Sequence, residues 1–198
     1  MNERRLFFGI PLSEQTRVRV ARETEKWESL PLFVTRPEHL HVTVLFLGFV
    51  RDEIVPDISD AAREICAGLE PFEIMFKTTG FAPDDDRPKM VWLTGDECEG
   101  LLKLRNAFDA EFSDKLSESK RFLPHVTLAR LKRNLFASVD PERKASLIRP
   151  FSILEPVSSV TLFESVGTGA KREYLPMEEF VLGEEFCQRK TRDRDSTV

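Results

Sequence analysis

Two stretches of the chain are apolar or β-branched at most positions, residues 40–48 (LHVTVLFLG) and 123–131 (LPHVTLARL). The first is closed by Gly48 and the second by Lys132-Arg133-Asn134, so both are predicted to be largely buried strands. Residues 4–11 predict a further strand. Ser13, followed by Glu14, predicts a helix start and a helix to about residue 27. Residues 31–37 connect to the first apolar stretch. Asp52 is the expected cap of a second helix reaching about residue 68, with Ile54, Ile58, Ala61, Ala62 and Ile65 as its buried stripe. Strands are expected at 72–81 and 89–94, and a helix at 99–116 with Leu101, Leu102, Leu104, Phe108 and Phe112 as its apolar face. Residues 134–150 are less regular, with a short helix around 141–147. Strands at 157–166 and 172–182 end the pattern around a turn holding Gly167 and Gly169. This order predicts an α+β fold with antiparallel pairing.

Each of the two apolar stretches carries the same phrase, His41-Val42-Thr43-Val44 and His125-Val126-Thr127-Leu128. Side chains alternate across a strand, so each copy presents one imidazole and one hydroxyl on the same face. A single His-x-Thr in an apolar strand is usually a hydrogen-bonded core histidine. This chain has three histidines and commits two of them to one local pattern, 84 residues apart. The repetition points to a composite site. His39 shares a face with His41 and is expected at the surface where the strand starts, with the rim of a cleft as the alternative.

Composition narrows the picture. A chain of 198 residues, 41% apolar and with sixteen Phe, can build one core, and residues 1–187 are expected to form a single domain. No apolar run approaches the roughly eighteen residues needed to span a bilayer, and the charged N-terminus lacks a signal-peptide pattern. A cytoplasmic location is therefore expected, and a monomer is the default for the oligomeric state. Cys66, Cys98 and Cys187 are odd in number and in no CxxC spacing, which argues against a disulfide framework or a zinc site. Three consecutive aspartates, Asp84-Asp85-Asp86, sit between prolines and read as a solvated hairpin tip rather than a metal site.

The net charge of −5 includes four basic and two acidic residues in the last eleven. Without that +2 segment, residues 188–198 and expected to be disordered, the body carries −7, which argues against a general nucleic-acid binder. A small anion or an RNA end needs only a few local cations. Arg121, Arg130, Lys132 and Arg133 crowd the second motif, although Lys132 and Arg133 also read as a solvated edge.

The paired HxTx phrase resembles the two-histidine phosphoesterases, and the surrounding text resembles their bacterial and archaeal branch, the RNA 2′,3′-cyclic phosphodiesterases, formerly called 2′-5′ RNA ligases. The likeness rests on residues 5–10 (RLFFGI), 37–48 (PEHLHVTVLFLG), 124–130 (PHVTLAR) and 162–165 (LFES) with Tyr174 and Leu175. It covers about residues 4–182. Departures at His39, Val44 and the Lys89-Met90 approach to Val91-Trp92-Leu93 leave the four motif residues untouched and bear on substrate choice.

The resemblance implies two pseudo-twofold lobes of antiparallel sheet with helices outside and a central cleft, one HxTx on each wall. It implies no metal and no cofactor, and a reaction that opens a 2′,3′-cyclic phosphate at an RNA end or in a small nucleotide to leave a 2′-phosphate. It assigns His125 as general base and His41 as general acid, with Thr43, Thr127 and Arg130 binding the phosphate. The residues themselves do not choose between the two histidines. Five positions from His125, Arg130 falls on the opposite face of a regular strand, so either a bulge re-aims it or it forms a structural ion pair. Phe46, Phe151 and Tyr174 are candidates for stacking on a base, with core packing as the alternative. Competing functions are a non-catalytic nucleotide or RNA-end-binding module, a phosphodiesterase acting on 2′-5′ linkages or small cyclic nucleotides, and a metallohydrolase, which would need a third ligand beyond the two histidines.

Overall fold

The computed structural model describes residues 2–84, 86–112, 123–168 and 172–183. Its strands are β1 (Glu3–Pro11), β2 (Leu32–Val34), β3 (His41–Arg51), β4 (Phe72–Ala82), β5 (Met90–Gly95), β6 (His125–Leu131), β7 (Arg149–Val157), β8 (Ser159–Val166) and β9 (Glu173–Val181). The helices are α1 (Glu14–Glu25), α2 (Val55–Ala67), α3 (Glu99–Phe112) and the short α4 (Arg133–Phe136) and α5 (Pro141–Ala145). No helix among the described residues is long and apolar enough to cross a membrane. The predicted tail, Cys187, Gly169, Arg121, the middle aspartate Asp85 and the predicted end of the third helix lie outside the described residues.

All strands pair antiparallel in one sheet, ordered β7-β4-β5-β6-β3-β1-β8-β9, with β2 on β6. The sheet consists of two four-stranded halves that meet at a single residue pair, Val42 with Val126. An antiparallel pair has a local twofold axis between its partners. Here that axis relates β3 to β6, β1 to β5, β8 to β4 and β9 to β7, so the symmetry lies within one sheet.

The helices cover one face. Ile10, Val42, Val44, Leu93, Val126 and Leu128 are buried there at 2% exposure or less. Phe8 stacks on Phe108 of α3 with ring centroids 4.4 Å apart. α1 lies over β7, where the Arg19 guanidinium sits 4.9 Å above the Phe151 ring and Glu23 pairs with Arg149. Its predicted cap, Ser13, accepts from the Thr16 amide, while the Ser13 amide and hydroxyl donate to the fully buried carboxyl of Glu155 at 2.6 and 3.1 Å. The α2 stripe is narrower than expected, with Ile58, Ser59, Ala62 and Cys66 buried, and burial pushes the Cys66 thiol up to about 12.

Two predicted details change. Asp52 begins a short 3-10 turn ahead of α2 and does not cap the helix; its carboxylate instead accepts from Arg4 at 2.7 Å. A strand that was not predicted, β7, starts at the end of the segment expected to be irregular and runs on to Val157, with Phe151, Ile153, Glu155 and Val157 facing inward. Pro150, Pro156 and a charged residue at an inward position disguise its alternation, and prolines are tolerated there because β7 is an edge strand.

Candidate active site

Because Val42 and Val126 face the helices, His41, Thr43, His125 and Thr127 all project from the open face of the sheet. Extending the antiparallel register by one residue in each direction sets His41 across from Thr127 and Thr43 across from His125. The four residues are half-buried and line one cavity of about 620 Å³. Neither threonine hydroxyl is committed to another group among the described residues.

Arg130 lines the same cavity. The pairing of β5 with β6 slips between Val91/Ala129 and Trp92/Thr127, which leaves Leu128 as an extra residue on β6. Leu128 and Ala129 are consecutively buried, the alternation is reset, and Arg130 joins the face of His125. Its guanidinium contacts the Met90 sulfur at 3.4 Å and forms no ion pair among the described residues. The first motif has the same bulge. Phe8 pairs with Leu45 and Gly9 with Thr43, so Val44 is the extra residue and Phe46 emerges on the cavity face. Phe46 is thus the twofold counterpart of Arg130, and it is 66% exposed.

Both imidazoles are anchored in the same way. His41 Nδ1 donates to the His39 carbonyl at 2.7 Å, and His125 Nδ1 donates to the Leu123 carbonyl at 2.9 Å. A carbonyl only accepts, so the ring proton sits on Nδ1 and Nε2 remains for substrate. Burial pushes His41 down to about 4, opposed by its backbone hydrogen bond and reinforced by His125 and His39. Burial also lowers His125, against its bond to Leu123. Both rings are therefore neutral at pH 7 in the free protein. The surroundings carry a cationic excess, since Arg5, Arg36, Arg105, Arg130 and Arg172 line the cavity and no Asp or Glu does so among the described residues, with Arg36 paired to Glu173 and Glu38 and Arg105 to Asp109. An acidic protein thus carries an anion-attracting cavity.

The model of the 2′-5′ RNA ligase superfamily matches residues 14–167, which include both HxTx strands. The chain belongs to this superfamily. A curated relative from Methanothermobacter thermautotrophicus, named RNA 2′,3′-cyclic phosphodiesterase, is 31% identical over 185 residues, covering 90% of this chain and 98% of the relative. A Thermus thermophilus protein of the same name is 32% identical over 142 residues, covering 65% of this chain and 69% of the relative. Among solved structures, one from Thermus thermophilus superposes with a TM-score of 0.75 at 27% identity, covering 91% of this chain and 99% of the other. Escherichia coli LigT complexed with 3′-AMP gives 0.72 at 25% identity, with 91% and 99% covered.

Of the three aromatic candidates, this superfamily member brings two to the cavity. Tyr174 meets the His41 ring edge-on at 4.8 Å, and Phe46 lines the opening, whereas Phe151 is buried under α1. His39 is a correction to the sequence reading. It ends the 3-10 turn Pro37–His39, lines the cavity half-buried, and packs edge-to-face with Tyr174 at 5.6 Å. Lys132 lies over Phe33, 4.7 Å from the ring centroid, while Arg133 is exposed as expected.

The residue that sequence reasoning missed is Trp92. Its ring stacks on His125 with centroids 3.7 Å apart and planes 22° apart. The available signal was the alternation of Met90, Trp92 and Thr94 along β5, which points these three side chains to the motif face.

Proposed function

We propose that the protein hydrolyses 2′,3′-cyclic phosphate ends of RNA to 2′-phosphomonoesters by metal-independent acid-base catalysis. The observation that carries this reading is the matched tethering of both Nδ1 atoms, which leaves two Nε2 atoms on one sheet face beside the hydroxyls of Thr43 and Thr127. His125 Nε2 takes a proton from water as the water oxygen bonds to phosphorus. The bond from phosphorus to the ribose 3′-oxygen breaks, and His41 Nε2–H protonates that oxygen. One water is consumed, and the proton balance is restored when His125 returns its proton to solvent and His41 is reprotonated. Thr43, Thr127 and Arg130 hold the non-bridging oxygens, where charge accumulates in the transition state. The cationic cavity supports an RNA end or a small cyclic nucleotide as substrate, and the names of the curated relatives support the RNA end.

The histidine environments support a division of labour that depends on bound substrate. His41 has to be protonated to act as the acid, and the phosphate anion between the two rings supplies the charge that raises its pKa. With a ribose 5′-hydroxyl in place of water, the same groups in the same roles would join a 2′,3′-cyclic end to that hydroxyl through a 2′-5′ linkage, and the reverse cleavage of that linkage would exchange the roles of the histidines.

The test is to incubate the protein, with chelator present, with a short RNA ending in a 2′,3′-cyclic phosphate and to map the product phosphate. A 2′-phosphate that falls by at least about a hundredfold in rate in His41→Ala and in His125→Ala is the expected outcome. An unchanged RNA end would reject the reading, as would activity that persists in either variant or is lost on chelation.

A further inference from the structure

The twofold axis makes the two halves of the cavity comparable position by position, and one difference falls directly on the histidines. On β5, Trp92 pairs with Thr127; on β1, Gly9 pairs with Thr43, so Gly9 is the counterpart of Trp92. His125 consequently lies against an indole face. At the matching place beside His41 there is no side chain, and a Cβ built on Gly9 would stand 3.3 Å from the His41 ring and 3.2 Å from Phe7. His41 instead packs at longer range, with Phe7 at 5.0 Å and the edge of Tyr174 at 4.8 Å.

We infer that Trp92 is a positioning residue for His125, fixing the plane of its ring and offering a π-face to the imidazolium that forms when Nε2 takes a proton. The inference rests on the proposed acid-base reading, in which the base becomes cationic on the way to the transition state. An indole face is the strongest of the aromatic partners for such a cation. The other charged or titratable groups around the cavity are the five arginines, with Glu38 and Glu173 on Arg36 and Asp109 on Arg105, and His39, His41 and Tyr174. The arginines and a protonated histidine oppose a cation on His125, so the Leu123 carbonyl that accepts from Nδ1, Trp92 and the bound phosphate are the groups that favour it. The Trp92 Nε1–H is buried without an acceptor among the described residues, so the indole is held by packing rather than by a hydrogen bond of its own. Gly9 leaves His41 without an equivalent face, which suits a group that must give its proton away. The sequence-symmetric site is thereby polarised, with water activated on the His125 side.

The experiment is an NMR titration of the His125 ring in the full chain, for wild type, Trp92→Leu and Trp92→Phe, with steady-state kinetics on the cyclic-ended RNA beside it. Leucine keeps the ring covered by apolar atoms but removes the π-face. The expected result is a lower His125 pKa in Trp92→Leu, a kcat reduced about 2- to 30-fold with KM unchanged, and partial recovery of both in Trp92→Phe. A His125 pKa that rises would mean that Trp92 only excludes water, and this would overturn the inference. A loss confined to KM, or a phenylalanine variant no better than leucine, would overturn it as well. The titration needs no substrate, so failure of the wild type to open the cyclic end would reject the proposed reaction while leaving the stack tested.

Discussion

His41 and His125 keep their protons on Nδ1 and are both depressed by burial, so an anion-free site is uncharged at the two positions where catalysis needs one proton. The consequence for pH follows from the signs. The dependence of kcat/KM reports the free enzyme, in which both groups titrate below the ordinary value of about 6.5. Its bell is expected on the acid side of that value. Bound phosphate raises both histidines, so the bell for kcat is expected at higher pH than the bell for kcat/KM. Profiles measured on one substrate check this, and coincident bells would contradict it. At this scale the four motif residues were legible because a repeated HxTx is rare in a chain with three histidines. Trp92 was not, because its role comes from pairing with a strand more than thirty residues away in sequence.

The elements explain what the alternation of side chains could not. A regular strand puts Arg130 on the wrong face, and the extra residue Leu128 corrects it, just as Val44 does for Phe46. Nothing in a run of small and branched apolar residues announces which one will be left unpaired. Helix α1 was legible from its Ser13 cap and α2 and α3 from their apolar stripes, but β7 was hidden by Pro150, Pro156 and the inward Glu155. That carboxyl is there for α1, whose N-terminal Ser13 it receives through both amide and hydroxyl. Glu155→Leu leaves those donors without their acceptor and is expected to destabilise the fold by about 1–3 kcal/mol. Urea denaturation followed by circular dichroism checks this, and an unchanged midpoint would show that water replaces the carboxyl at no net cost.

Taken whole, the main strand order ends at two edges, β7 and β9, and both are poorly suited to pairing with another chain. β7 carries Pro150 and Pro156, and β9 carries Pro176 with Glu173, Glu178 and Glu179. The described residues of one chain also hold both copies of the motif. We therefore expect a monomer, and light scattering at micromolar concentration during turnover should give the mass of one chain; a dimer would be the contrary result. The α+β class and the antiparallel pairing were legible in the sequence, whereas the joining of both halves into one sheet was not, because it depends on the single contact between Val42 and Val126.

That contact has a consequence for direction. Two identical half-molecules meeting about a true dyad would present the same groups from both sides, two guanidinium groups or two phenyl rings, two indoles or none. Such a site could not tell one end of its substrate from the other. Tethering the halves in one polypeptide lets each drift separately, and here they hold Arg130 against Phe46 and Trp92 against Gly9. The single chain thereby gains handedness at the reacting phosphorus, a distinction between entering and departing oxygen that no symmetric assembly of its halves could make.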